Sequence, residues 1–400
     1  MNLSHRKVSK QIRFTDQKGQ PIANRRIDFD LRRHSFLFGC GAFDFLPLAM
    51  DEGALPHEIT DRWLKLFNFG TLPVYWGMFE REEGKTDTEN IMKVAKYLKE
   101  RGVTVKGHPL CWHTVCADWL MKYDNATILK KQLERIKREV SGFKGVIDTW
   151  DVINEVVIMP IFDKYDNAIT RICKEKGRVR LVKEVFDEAY AANPGATLLI
   201  NDFNTTTNYQ ILIDGCLNAG APISAIGIQS HQHQGFWGKE KLEEVLDRFS
   251  VFGLPIHFTE NTFISGELMP AYIEDLNDWQ VESWPTTPEG EARQAEDVET
   301  MYRMLFEHPL VEAITAWDLK DGGWLKAPSG ILRIDNSPKP AYDVLDRLIN
   351  KEWHTRGQIV TDENGTAGIE GFKGEYEVSA DGLAGSFELK DDTNGVVMLS

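Results

Sequence analysis

Between residues 36 and 350, short apolar runs alternate with amphipathic stretches. Eight of the runs read as strands: FLFGCG (36–41), FNFGTLPV (67–74), VTVKGH (103–108), DTWDVIN (148–154), TLLIND (197–202), AIGIQSH (225–231), PIHFTE (255–260) and EAITAW (312–317). Each is too short for a stable helix and rich in β-branched or aromatic residues. The segments between them space apolar residues by three and four, as in Ile91, Val94, Ala95 and Leu98 or Leu242, Val245, Leu246 and Phe249. That spacing lays one apolar stripe along a helix. Eight strand–helix repeats predict an α/β fold, a (β/α)8 TIM barrel, over residues 36–350.

The two ends have a different texture. Residues 1–35 read as short strands around the turn DQKGQP, and residues 351–400 alternate apolar and polar positions in GEYEVSA and GSFELKD. Neither stretch buries much apolar area alone, so small β-rich N- and C-terminal extensions are expected to pack with each other beside the barrel.

Composition narrows the possible roles. The chain is 42% hydrophobic and 27% charged, and no apolar run approaches the roughly 18 residues that cross a bilayer, so no membrane span is expected. With 46 Lys and Arg against 61 Asp and Glu, the net charge of −15 repels a phosphate backbone, and nucleic acid is not expected as a partner. The five cysteines show no CxxC pair and read as free core thiols; Cys111 and Cys116 are too loosely spaced to argue for a redox pair. The opening MNLSHRKVSK is polar and basic with no apolar run behind it, which fits a cytoplasmic chain or one exported with its signal removed. Localisation and oligomeric state stay open.

In such a barrel, chemistry collects at the C-terminal ends of the strands. Six consecutive strands end in reactive or ligand-binding side chains: His108, Trp112 and His113; Asn154 and Glu155; Asn201 and Asp202; Gln229, His231 and His233; Glu260; Trp317. Glu155 and Glu260 each follow an apolar run directly, on strands four and seven of the ring. Two carboxyls facing each other across a mouth suit glycoside hydrolysis, in which one protonates the leaving oxygen and the other attacks or activates water. Nearby imidazoles and carboxamides would hold sugar hydroxyls, and Trp317 and Trp324 would stack on a sugar face.

The ordered motifs GHPLCWH, WDVINE, GIQSH, HFTEN, AITAWDLKDGGW and KPAY resemble those of glycoside hydrolase family 10, known mainly for endo-β-1,4-xylanases. The likeness runs over roughly residues 36–350. It implies a retaining mechanism with Glu155 as acid/base and Glu260 as nucleophile. It further implies that Asn154 meets the sugar 2-hydroxyl, that His231 bonds the nucleophile, and that His108, Trp112 and Gln229 line the same subsite; His113, at the same strand end, is a further candidate substrate contact. Trp317 and Trp324 match an aromatic floor and lid. The substrate implied is a β-linked, xylan-type carbohydrate, with no cofactor or metal.

Strand two departs from that pattern. Where the family shows Thr-Glu-Asn, two residues, Lys and Trp, this chain reads Gly70 to Trp76 as GTLPVYW. Matching Trp76 to the family's tryptophan puts Thr71, Leu72 and Tyr75 in place of its Glu, Asn and Lys, with Tyr75 and Trp76 left as candidate substrate contacts. Asn261-Thr262 replace a leucine and an aspartate, and Phe203 a tyrosine. Two other readings are carried forward: a carbohydrate-binding barrel without catalysis, and a metal-dependent hydrolase built on His231-Gln-His233. The loop SWPTTPEGEAR (283–293) reads as a surface loop entering a helix, with a cleft lid as the alternative.

Overall fold

A computed structural model describes residues 2–49, 56–393 and 395–400. Among the described residues, eight parallel strands close a barrel: β3 (Leu37–Gly41), β4 (Phe69–Pro73), β5 (Thr104–His108), β6 (Thr149–Asn154), β7 (Thr197–Asp202), β8 (Ala225–Gln232), β9 (Ile256–Phe263) and β10 (Val311–Ala316). Each coincides with one of the eight apolar runs. Consecutive strands pair in order around the ring, and β10 closes on β3. The expected (β/α)8 barrel is therefore present.

The helices between strands bury the stripes that their spacing implies. Helix Thr88–Lys99 buries Ile91, Val94, Ala95 and Leu98, and helix Lys239–Ser250 buries Leu242, Val245, Leu246 and Phe249. Local signals set their starts: Asp124 accepts from the Thr127 N–H at 2.7 Å before helix Asn125–Gly142, and Thr287 caps Pro288–Glu307 by accepting from the Gly290 N–H at 3.0 Å. The second cap ends the SWPTTPEGEAR loop in a helix start.

The ends of the chain form extra strands: β1 (Lys7–Thr15), β2 (Arg26–His34), β11 (Arg356–Val360), β12 (Thr366–Phe372), β13 (Gly374–Ala380), β14 (Leu383–Leu389) and β15 (Val396–Met398). They pair across the termini in two sheets, ordered β12-β1-β15 and β11-β2-β13-β14. Arg6 fastens this layer to the barrel, donating to the carbonyls of Phe306, His308 and Val311 at 2.6 to 2.9 Å. Val311 begins β10, so the extra strands sit at the end of the barrel opposite Glu155 and Glu260. No helix among the described residues is long and apolar enough to cross a membrane.

Candidate active site

Glu155 is the first residue past β6, and its φ of 56° is left-handed. That conformation costs a residue bearing a Cβ about 1 to 2 kcal/mol, so neighbouring bonds must hold it. Its N–H donates to the Asn201 carbonyl at 2.8 Å, and its own carbonyl accepts from the Met159 N–H at 3.2 Å. The carboxyl turns into the mouth, where Trp112 Nε1 donates to Oε2 at 2.9 Å and Asn154 Nδ2 and Gln229 Nε2 each donate to Oε1 at 3.2 Å.

Glu260, within β9, faces it through a shared set of amides. Asn201 Nδ2 donates to Glu260 Oε1 at 2.8 Å and to Asn154 Oδ1 at 2.8 Å, and Gln229 Nε2 donates to the same Asn154 oxygen at 3.1 Å. The Thr259 hydroxyl donates to Asn201 Oδ1 at 2.7 Å, which fixes the amide's orientation. Gly227 makes room for this carboxamide, since a Cβ there would lie 2.4 Å from Asn201 Oδ1. The other oxygen of Glu260 lies 3.0 Å from His231 Nε2.

The two carboxyls are driven apart in proton affinity. Burial pushes Glu155 up to about 8, with the negative charge of Glu260 adding to the rise against the opposing Trp112 hydrogen bond. Burial alone would raise Glu260 too, but His108, His231 and Lys106 outweigh it and hold the carboxyl below the usual glutamate value. One site thus holds a protonated and an ionised carboxyl near neutral pH.

Aromatic rings wall the pair. Tyr75 lies 5.6 Å from both His108 and Trp112, Trp317 is edge-on to His108 at 5.4 Å and to His231 at 5.9 Å, and Trp324 sits 4.7 Å from His231. Asn154, Trp112, Gln229 and His231 therefore touch the carboxyls directly, and Tyr75, His108, Trp317 and Trp324 form the surrounding ring. Two other candidates lie behind it. His113 is packed on Phe162 at 4.5 Å with its pKa pushed to about 4 by burial, and Trp76 donates its indole N–H to Glu80 at 3.0 Å beneath Trp119.

Sequence reasoning overlooked three supporting residues, Lys106, Asp151 and Thr259, and named Asn201 only as a reactive strand end. Lys106 and Asp151 form an ion pair beneath His108, and Asn201 and Thr259 orient the amides. The signals were a lysine inside the strand run VTVKGH and an aspartate inside WDVINE, both expensive to bury without a function or a partner. Of the HxH pair, His231 faces Glu260, whereas His233 is buried against Trp324 and Trp284. Among the described residues, no three His, Cys, Asp or Glu side chains are grouped to hold a metal ion.

The sequence model of Glycosyl hydrolase family 10 matches residues 73–347, most of the barrel together with both carboxyls and the amides that link them. The chain belongs to glycosyl hydrolase family 10. Among its relatives, the endo-1,4-beta-xylanase/feruloyl esterase of Xylanibacter ruminicola is 26% identical over 308 residues, covering 69% of this chain and 41% of the relative. The anti-sigma-I factor RsgI6 of Acetivibrio thermocellus is 26% identical over 390 residues, 94% of this chain and 45% of the relative. The chain thus spans less than half the length of both. Xylanase 10B from Thermotoga petrophila, solved in complex with xylobiose, superposes with a TM-score of 0.65 at 21% identity, covering 80% of this chain and 95% of that one. This family 10 chain shares its fold.

Proposed function

We propose that this family 10 barrel is a retaining glycoside hydrolase acting on β-linked, xylan-type glycans. The observation that carries the reading is the split in proton affinity between Glu155, raised to about 8, and Glu260, held low, across one amide network. Ionised Glu260 attacks the anomeric carbon while Glu155 protonates the departing oxygen; Glu155, now a carboxylate, then takes a proton from the water that releases the sugar. Asn154 and Gln229 present amides beside the cleavage point, and Trp317 and Trp324 offer faces for sugar stacking. The xylanases among the relatives support the substrate class.

NMR of the first-formed anomer from an aryl β-xyloside tests this. Retained configuration is expected, together with azide rescue of Glu155→Ala as the β-glycosyl azide; an inverted product overturns the assignment. A second reading, a glycan-binding barrel without turnover, is suggested by a relative named for regulation rather than hydrolysis, the anti-sigma-I factor, whose match covers 94% of this chain. Saturable xylo-oligosaccharide binding with no sugar released from any aryl glycoside would select it.

A further inference from the structure

The loop that follows Glu155 and the loop that follows β9 are joined across the mouth. Lys164 Nζ lies 2.6 Å from Asp275 Oδ2 and 2.7 Å from Asp278 Oδ1. The second loop, residues 264–287, has a small core of its own, in which Ile264, Met269 and Trp284 pack with Ala327 from the segment beyond β10. It is also seated on the end of β8: the Met269 N–H donates to the His233 carbonyl at 2.9 Å, and Gln234 Nε2 donates to the carbonyls of Pro270 and Ile273 at 3.0 and 2.8 Å. On its other side, Trp324 Nε1 donates to Asn277 Oδ1 at 3.3 Å.

The position of this bridge follows from the ring order. Glu155 follows β6 directly and Glu260 lies in β9, with β7 and β8 between them on one flank and β10, β3, β4 and β5 on the other. A glycan cleaved between two carboxyls runs across the line that joins them. One end then leaves toward Tyr75 and His108, the other over β7 and β8. The bridge connects the two loops that flank this second exit, and it rests on β8.

We propose that Lys164, Asp275 and Asp278 form a strap over the β7–β8 exit that makes the enzyme favour short oligosaccharides and chain ends over the interior of a polymer. The proposal rests on the glycosidase reading above and goes further by assigning mode of attack to named residues. The strap is a gate rather than a weld. The three side chains keep 42%, 35% and 64% of their surface exposed, and ion pairs so placed are weak and screened by salt.

The test compares kcat/KM on soluble xylan with kcat/KM on xylotriose and an aryl β-xyloside, for the wild type, Lys164→Ala and the charge-swapped triple variant Lys164→Asp, Asp275→Lys, Asp278→Lys. Lys164→Ala is expected to raise the ratio of polymer to short-substrate activity about fivefold, with the aryl substrate unchanged and the swap restoring the wild-type ratio. Salt near 1 M should shift the wild type the same way and leave Lys164→Ala unaffected. A ratio unmoved by Lys164→Ala overturns the strap. Absence of turnover on every substrate overturns the glycosidase reading instead, and xylan-containing native gels then decide the strap: stronger retardation of Lys164→Ala than of wild type supports it, and equal retardation overturns it.

Discussion

Lys106 Nζ lies 2.6 Å from Asp151 Oδ2, and neither side chain has any exposed surface. The same Asp151 oxygen is 2.7 Å from His108 Nδ1, so the buried pair sets the orientation of an imidazole in the wall of the active site. Gly107 lies between Lys106 and His108, where a Cβ would come within 2.2 Å of the Trp150 ring. Burial would raise the Asp151 carboxyl, but Lys106 and His108 outweigh it and keep it ionised. A charged pair in a barrel interior is a poor way to gain stability, because desolvation consumes most of the Coulombic gain. Its value lies in what it positions.

Removing one partner should be costly on two counts. Asp151→Asn leaves Lys106 buried without a counter-charge, and a loss of about 3 to 5 kcal/mol is expected in denaturant melts. The double variant Lys106→Met, Asp151→Asn should recover much of that stability while kcat stays low, because His108 has still lost its carboxylate. Recovery of kcat together with stability would show that the pair only packs the barrel.

The split between the carboxyls fixes the shape of the pH profile. The proposed double displacement needs Glu260 ionised and Glu155 protonated, so kcat/KM should rise through a limb below the usual glutamate value and fall through a second limb near 8. Glu155→Gln should abolish the alkaline limb on activated aryl substrates. Stability should respond as well. Between the ordinary glutamate value and 8 the folded chain keeps a proton that the unfolded chain has released, so unfolding free energy falls as pH rises across that window. Melts of wild type and Glu155→Gln over this range should diverge in favour of the glutamine variant at the alkaline end; parallel curves would contradict the shift.

Asn201 is the joint of the amide network, and Gly227 is the residue that makes space for it. Gly227→Ala should push the carboxamide off Glu260 and Asn154 at once. The expected result is a drop in kcat of roughly ten- to a hundredfold, matching one or two lost charge-assisted hydrogen bonds, with KM much less affected. A variant with normal kcat would place the amide outside the reaction.

The barrel was legible because its strands are apolar on both faces and its helices on one, which gives two distinct periods along the chain. The carboxyls were legible because each ends an apolar run. Spacing carried no sign that Glu155 would take a left-handed backbone, since that depends on Asn201 reaching it from the next strand. Trp76 was read as a candidate substrate contact, yet Glu80 lies one helical turn on and holds its indole N–H from within. The strap escaped notice for a similar reason: Lys164, Asp275 and Asp278 are ordinary surface residues until the fold sets two distant loops side by side.

Strand two supplies the last prediction. Thr71 and Leu72 are fully buried and present nothing to the mouth, and the Tyr75 ring lies 5.6 Å from both His108 and Trp112, so this flank offers a phenol where the family pattern has Glu, Asn and Lys. Each sugar hydroxyl left without its partner costs on the order of 1 to 3 kcal/mol, and several together reduce kcat/KM by orders of magnitude. Plain linear xylo-oligosaccharides should therefore be poor substrates, and aryl-linked or substituted ones, whose apolar groups pack on Tyr75, much better. Xylotriose is short enough to avoid the strap, so comparing it with a decorated trisaccharide isolates this flank. Tyr75→Ala should weaken the decorated or aryl substrate mainly through KM, and Tyr75→Lys alone should not restore xylotriose, because Leu72 still offers no hydrogen bond. Efficient xylotriose cleavage by the wild type would mean that other residues grip the chain and that the strand-two exchange is neutral.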